Sequence, residues 1–358
     1  MRIIFDAYEL IQGQGKSLGI YNYAKNLLKA LVEEIDDKTE LLVICNSANQ
    51  HDFSYQHPRV RTILVSATPP RKIARLIWFF GRAAIETRKL QADVYFSPKG
   101  FCPKLLKTLS PALKTVVIIH DLIPLWYAEH FPGYFGRLEE WFINNSIVSS
   151  TKYADRIIAI SQATRDDIAA RTGRTQGVAM IYNGISVPAP GPRPYPHPYI
   201  FAMSSTLPHK NAEGILAAYQ AYRHQTDSPL PLFICGIETT AQDGVTSIKA
   251  AYASELHAYF AYAELFLFLS FTEGFGFPPL EALAHGTPVL CSDIPVLREI
   301  SKGTANYVAL DDSAAIGRKI VELLNQENSV ELQNQRRAVL NEFTWAACAK
   351  GVLKSILN

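Results

Sequence analysis

Glu264-Leu265-Phe266-Leu267-Phe268-Leu269-Ser270-Phe271-Thr272-Glu273-Gly274-Phe275-Gly276-Phe277-Pro278-Pro279-Leu280-Glu281-Ala282-Leu283-Ala284-His285-Gly286-Thr287-Pro288-Val289 reads as strand, loop, helix, turn and strand. The apolar run Leu265–Leu269 has the length and composition of one buried strand. Gly274 and Gly276 lack the Cβ that would hold a bulky anion away from the backbone. Pro278-Pro279 suits a helix start, where a proline loses no needed N–H. The helix N-terminus that follows the loop offers its free N–H groups and dipole to a phosphate.

Moving outward, the same alternation fills the chain. Ile3–Phe5, Leu41–Cys45, Val94–Phe96, Thr115–Ile119 and Arg156–Ile160 are short β-rich runs in the first half. Leu18 to Val32 and Ser161 to Arg171 carry apolar residues at helical spacing, and Ser161 followed by Thr164 reads as a helix entrance. Repeated βαβ units and a parallel sheet with flanking helices follow. In Val187–Pro198 a proline occupies every second position, which neither a helix nor a central strand absorbs, so this is an extended linker. The pattern then restarts with Tyr199–Met203, Leu232–Cys235, Leu265–Leu269 and Val289–Cys291.

The expected organisation is a first α/β domain over 1–187, a proline-rich linker over 188–198 and a second α/β domain over 199–342. The last segment, 343–358, has an apolar helical pattern and is expected to cross back to the first domain. A chain of 358 residues exceeds what one core usually organises, which agrees with two domains. Ligands of such proteins bind at the C-terminal edges of the strands, so the site is expected in a cleft between the two sheets.

Apolar residues make up 48% of the chain and charged residues 19%, values of an ordinary folded α/β protein. A net charge of +2 gives no global field for nucleic acid, and no nucleic-acid partner is expected. Cys45, Cys102, Cys235, Cys291 and Cys348 form no C-x-x-C pair and read as reduced, which suits a cytoplasmic protein. With no apolar run of membrane-spanning length, neither secretion nor spanning is expected. No G-x-G-x-x-G occurs, against a nicotinamide dehydrogenase. Gly15-Lys16-Ser17 fails as a nucleoside-triphosphate loop because Leu10 stands where the first glycine is required.

Two carboxylates bracket the glycine loop, Glu273 before it and Glu281 in what reads as the first helical turn. A carboxylate beside a phosphate repels it unless it faces sugar hydroxyls, so hydrogen bonding to sugars is the expected task. Glu281 can accept from both hydroxyls of a ribose, and Glu273 can hold a second sugar or orient the backbone near it.

Glu273-x7-Glu281, within Glu-Gly-Phe-Gly-Phe-Pro-Pro-Leu-Glu-Ala, resembles the signature of family 4 retaining glycosyltransferases, and His120-Asp121-Leu122-Ile123-Pro124 resembles a motif found especially in their mannosyltransferase-like members. The resemblance covers nearly the whole chain. It includes Met1–Phe5 with Gly19–Leu28, His120-Asp121-Leu122-Ile123-Pro124, Ser161-Gln162-Ala163-Thr164, Tyr182-Asn183-Gly184-Ile185 and Pro208-His209-Lys210-Asn211. It implies the GT-B fold, two Rossmann-like domains facing each other across a cleft. It also implies transfer of a hexose, with mannose favoured, from a GDP- or UDP-linked donor to a glycan or lipid-linked acceptor in polysaccharide biosynthesis. The nucleotide sugar is then a substrate and no cofactor is implied.

By the same resemblance His120, Glu273 and Lys210 are the candidate catalytic residues, Lys210 meeting the donor pyrophosphate and His120 the sugar or acceptor. Gly19, Ser205, Lys210, Glu273, Gly274, Phe275, Gly276, Phe277 and Glu281 are the candidate donor contacts. Taken without that context, Lys210-Asn211 is also a solvated helix start, and Gly19, grouped with Gly13 and Gly15 in a loop before the first helix, a flexible turn. The chain has no Asp-x-Asp pair, so no metal bridging the phosphates is expected. Retention by front-face attack lets the leaving phosphate oxygen take the acceptor's proton, without a separate base.

Three features depart from the pattern. Many relatives carry Gly-Arg where this chain has Ser204-Ser205, and the arginine often adjoining the lysine is His209. Gly236 to Glu264, beside the expected nucleotide base, is short. These departures leave a catalytically weak sugar- or nucleotide-binding subunit as an alternative, with a sugar-nucleotide epimerase on a similar fold as another. Arg71–Arg82 combines four cations with a Trp/Phe/Leu face. It suits peripheral contact with the inner face of the cell membrane, and equally an amphipathic core helix.

Overall fold

The computed structural model describes residues 1–12, 18–66, 70, 72–238, 243–249 and 253–358. The chain forms two compact units, one of Met1–Gly184 with Thr344–Asn358 and one of Ile185–Phe343. Both are parallel sheets flanked by helices.

The first unit holds seven strands: Arg2–Asp6 (β1), Glu40–Asn46 (β2), Val60–Ser66 (β3), Val94–Ser97 (β4), Lys114–Ile119 (β5), Arg156–Ala159 (β6) and Val178–Met180 (β7). Their order is β3-β2-β1-β4-β5-β6-β7, with every pair parallel. Residues of the central strands are buried almost without exception, because helices cover both faces of the sheet. The chain builds from β1 outward to β3 and then returns to lay β4 on the other side of β1, so the topological switch lies between β1 and β4.

The C-terminal helix, Trp345–Leu357, is part of this unit. Thr344 caps it by accepting from the Ala347 N–H. Its Trp345 lies 5.6 Å from the Tyr23 ring, and Lys114 Nζ donates to Ile356 O at 2.8 Å. A Cβ at Gly184 would stand 2.5 Å from Trp345 Cγ and 2.6 Å from its Cα, so only glycine lets the outgoing chain pass the returning helix.

The second unit holds Ile200–Met203 (β8), Leu232–Cys235 (β9), Val245–Ile248 (β10), Leu265–Phe268 (β11), Val289–Ser292 (β12) and Asn306–Val308 (β13). The order is β10-β9-β8-β11-β12-β13, again wholly parallel. Here the switch lies between β8 and β11. Pro188–Pro198 has no regular element and packs on this unit: the Gly191 N–H donates to Ser254 O, and Tyr195 lies 5.1 Å from Phe233. Gly236–Glu264 still finds room for β10 and for a helix, Ala253–Ala261.

Two expectations need correction. Arg71 lies outside the described residues, and Lys72–Arg82 is not one amphipathic helix but an α-helical segment, Lys72–Ile77, followed by a π-helical turn, Trp78–Arg82, that runs into a second helix, Ala83–Leu90. The extra residue of a π-turn rotates the side chains that follow. Trp78 and Phe79 are buried, Trp78 stacking on Tyr8 at 4.1 Å and donating Nε1–H to Asp6 Oδ2 at 2.8 Å. At those two positions the core reading of the segment holds and the membrane-facing one does not. Second, the helix Leu18–Glu34 begins before Gly19, so Gly19 is exposed in its first turn rather than in a preceding loop; Gly13 and Gly15 lie outside the described residues.

Candidate functional site

The C-terminal ends of β8 and β11 bring the donor candidates of the second unit together. After β8 the chain turns through Pro208–Lys210 into Asn211, which adopts the left-handed conformation at φ 51°. Asn211 caps the helix Ala212–Arg223, its Oδ1 accepting from the Gly214 N–H, while its Nδ2 donates to Leu269 O at 2.9 Å just past β11. Ser204 Oγ donates to Lys210 O at 2.9 Å. Lys210 is therefore fixed by its backbone at both flanks, and it is both the cation and the neighbour of a helix cap.

Lys210 Nζ lies 2.6 Å from Glu273 Oε1 and 5.5 Å from the centre of the Phe268 ring. The Glu273 side chain is 8% exposed and that of Lys210 24%. One of the three ammonium donors is used by Glu273, which leaves the group capable of further hydrogen bonds on its open side. The sequence treats these residues as separate contacts; the switch between β8 and β11 makes them a pair.

Gly276 stands at the N-cap of the helix Phe277–Ala284 with φ 106°, a left-handed value that disfavours any side chain. Pro278 and Pro279 occupy its first turn, as expected. Glu281 is the fifth helical residue, so it lies in the second turn and not in the first. No described residue supplies it with a hydrogen-bond or ion partner, and burial pushes its carboxyl up to about 7. The Phe275 ring packs against Phe277 at 5.1 Å and Phe343 at 5.7 Å, which makes it part of the core under the loop.

Neither residue that stands in place of a cation of the sequence pattern supplies a charge. Ser205 is half-buried and its Oγ accepts from the Leu207 N–H at 3.3 Å. His209 is buried, and burial followed by the Lys210 charge lowers it to about 4, so it is neutral near pH 7. At the other end of the helix Phe277–Ala284, His285 meets His257 with Nε2 and Nδ1 2.9 Å apart, a pair the sequence did not reveal because 28 residues separate them.

In the first unit His120 follows β5. Its imidazole is buried, packs edge-on against Tyr23 at 4.8 Å and is lowered to about 4 by burial. Nε2 lies 2.7 Å from Pro98 O, an acceptor, so the proton sits on Nε2 and Nδ1 keeps its lone pair. Thr164, whose N–H donates to the helix-capping Ser161 Oγ, also donates its hydroxyl to His120 O at 3.2 Å. The expected helix entrance at Ser161 thus anchors the strand end that carries the histidine. Asp121 Oδ1 accepts from the Ile123 N–H at 3.0 Å and shapes the turn into the helix Ile123–His130. Gly19 and His120 belong to the first unit, whereas Ser205, Lys210, Glu273–Phe277 and Glu281 belong to the second.

Known proteins match on both units. Residues 19–187 match the Glycosyltransferase Family 4 model, and residues 189–339 match the Glycosyl transferases group 1 model. Over 315 residues the chain is 24% identical to the O-antigen chain mannosyltransferase RfbU of Salmonella typhimurium, covering 83% of this chain and 85% of that protein. It is 26% identical over 305 residues to the O-antigen chain mannosyltransferase B of Escherichia coli, covering 75% and 74%. The fold matches that of Anabaena Alr3699/HepE, solved in complex with UDP-glucose, with a TM-score of 0.72 at 14% identity over 100% of this chain and 99% of that one. With both sheets parallel, both halves matched and the fold shared along its whole length, the chain belongs to the family 4, group 1 glycosyltransferases of GT-B fold.

Proposed function

We propose that this glycosyltransferase moves a hexose, with mannose the leading choice, from a GDP- or UDP-linked donor to a glycan or lipid-linked acceptor of polysaccharide biosynthesis, with retention and without a metal. The observation that carries the reading is the Lys210–Glu273 pair at the β8/β11 switch, beside a helix N-terminus whose cap is a glycine. The relatives support mannose and an O-antigen type of product, since both are O-antigen chain mannosyltransferases. The HepE complex with UDP-glucose supports a nucleotide-sugar donor.

In this reading the pyrophosphate rests at the N-terminus of the helix Phe277–Ala284, and the ribose hydroxyls donate to Glu281. Lys210 neutralises the leaving diphosphate as the anomeric carbon–oxygen bond breaks. The acceptor oxygen bonds to the same face of that carbon, and its proton passes to the leaving phosphate oxygen. Glu273 orients Lys210 and the transferred sugar. Neutral His120, with Nδ1 as an acceptor, receives a hydrogen bond from a sugar hydroxyl rather than a proton.

Calorimetric titration with GDP, UDP and ADP, followed by donor turnover with and without an acceptor panel, tests the proposal. Tight binding with transfer only when acceptor is present supports it. Tight binding without transfer across the panel means a binding subunit, the alternative favoured by Ser205 and neutral His209, and conversion of donor without acceptor means an epimerase. Contact with the inner face of the cell membrane belongs to the same proposal.

A further inference from the structure

The stretch Gly19–Leu28 carries part of the family resemblance, yet only Gly19 of it enters the donor-site reading. It lies on the helix Leu18–Glu34, whose buried Tyr23 touches both the imidazole after β5 and the C-terminal helix. The Tyr23 ring meets that of His120 almost perpendicularly, at 84°, with ring centres 4.8 Å apart. On the helix Trp345–Leu357, the Trp345 ring lies 5.6 Å from Tyr23, and Cys348 Sγ stands 3.8 Å from the Tyr23 hydroxyl. Trp345 and Cys348 share one face of that helix at i and i+3. The helix is itself fixed by its buried Val352 and Ile356 and by Lys350, whose Nζ lies 3.6 Å from Glu34 Oε1 on the helix that carries Tyr23.

Among the described residues, the His120 ring has one hydrogen bond, from Nε2 to Pro98 O at 2.7 Å, and one aromatic neighbour, Tyr23. Nε2 lies nearer the axis of rotation about the Cβ–Cγ bond than Nδ1 does. A hydrogen bond at Nε2 alone therefore leaves a tilt that swings Nδ1, and a second contact has to set the plane of the ring. A near-perpendicular aromatic pair at this separation is a favoured arrangement and supplies that contact. Tyr23 takes no part as an acid or base, since burial, with the Cys348 thiol beside it, raises its phenol well above the ordinary value. Its hydroxyl meets only sulfur among the described residues, a weak partner, so the ring rather than the hydroxyl carries the contact with His120.

We infer that Tyr23 is a positioning residue: backed by Trp345 and Cys348 of the C-terminal helix, it fixes the plane of the His120 imidazole and with it the direction of Nδ1. The inference rests on the sugar-site role proposed for His120. These residues all belong to the first unit. The returning helix thereby gains a part in the reaction, because it holds the ring that holds the histidine.

The test reads the imidazole and the reaction separately. In the full chain labelled with ¹⁵N at histidine, the His120 signals are assigned by their loss in His120→Ala, and the parent is expected to show one sharp set with the proton on Nε2. Tyr23→Leu should broaden or shift that set and lower kcat about tenfold, with nucleotide diphosphate affinity unchanged. Tyr23→Phe keeps the ring and should restore both the signal and kcat. In a His120→Ala background Tyr23→Leu should have no further effect on kcat, whereas a merely structural tyrosine would lower it again. Should Tyr23→Leu fail to fold, Trp345→Leu withdraws the backing, leaves Tyr23 in place and should broaden the same signals. Unaltered His120 signals in the leucine variant that folds, or an equal loss of kcat with and without His120, overturns the inference. Parent-like transfer by His120→Ala sinks instead the sugar-site role of His120, and the imidazole signals then decide whether Tyr23 sets the ring.

Discussion

Lys210 and Glu273 are a buried-side ion pair whose value depends on what else reaches it, since removal of one partner leaves the other uncompensated. Lys210→Met is expected to lower kcat/KM for the donor by roughly 100-fold, the usual scale for losing one preorganised charge at a leaving group. Part of that loss comes from stranding Glu273. The double variant Lys210→Met/Glu273→Gln removes that charge, so it should regain thermal stability while transfer stays low. Recovered transfer in the double variant would contradict the role given to Lys210. Glu281 offers a sharper handle because no described residue pairs with it and burial pushes its carboxyl up to about 7. Ribose hydroxyls favour the carboxylate, so nucleotide affinity should level off above pH 7 and fall about tenfold from pH 7.5 to pH 6, with proton release on binding. Glu281→Gln should bind weakly and show no such pH dependence. A native affinity that rises on acidification would mean that the protonated carboxyl binds instead.

At the level of elements, the glycine loop and the helix after it are legible because each residue answers a local requirement. Gly276 provides the left-handed cap and the two prolines fill the first turn. A Cβ at Gly276 would also stand 2.7 Å from Leu297 Cδ2 and 2.9 Å from Ile300 Cδ1. Gly276→Ala is expected to cost about 2 kcal/mol, from backbone strain with some side-chain displacement, and to lower the melting temperature by several degrees. A melt within a degree of the parent would mean that the loop relaxes freely. The strands that the sequence did not show have a common position. β3, β7, β10 and β13 are the four sheet edges. An edge strand has a neighbour on one side only, so β7 and β13 are half-buried throughout and β3 and β10 mix in polar residues such as Arg61 and Thr246. Their patterns lack the continuous apolar run of a central strand. The segment 72–82 reads ambiguously for a related reason, since helical periodicity assumes an unbroken helix and the π-turn shifts the phase at Trp78.

For the whole molecule, buried histidines set the response to acid. His120, His209 and His257 are each held near 4, and burial lowers His285 as well. A histidine whose folded value is depressed stabilises the fold fully above its unfolded value near 6.5, and that stability is lost as pH falls towards 4. Each contributes a loss of about 1.4 kcal/mol by pH 5.5. Glu281 acts oppositely, its raised value stabilising the fold as pH falls from 7 towards 4.5, but one carboxyl stands against three histidines. The denaturation midpoint should therefore be lower at pH 5.5 than at pH 7.5, and equal midpoints would show that the histidines are hydrated. Local order along the chain sufficed to establish parallel α/β sheets and the glycine-capped helix, and carried the likeness to family 4, because buried strand runs and left-handed glycines are demanded by neighbours close in sequence. The Lys210–Glu273 pair, the neutral state of His120 and His209 and the solitary Glu281 carboxyl emerged only on folding. Each depends on which distant segments exclude water from a group or leave it in water, and that is a property of three-dimensional packing rather than of spacing along the chain.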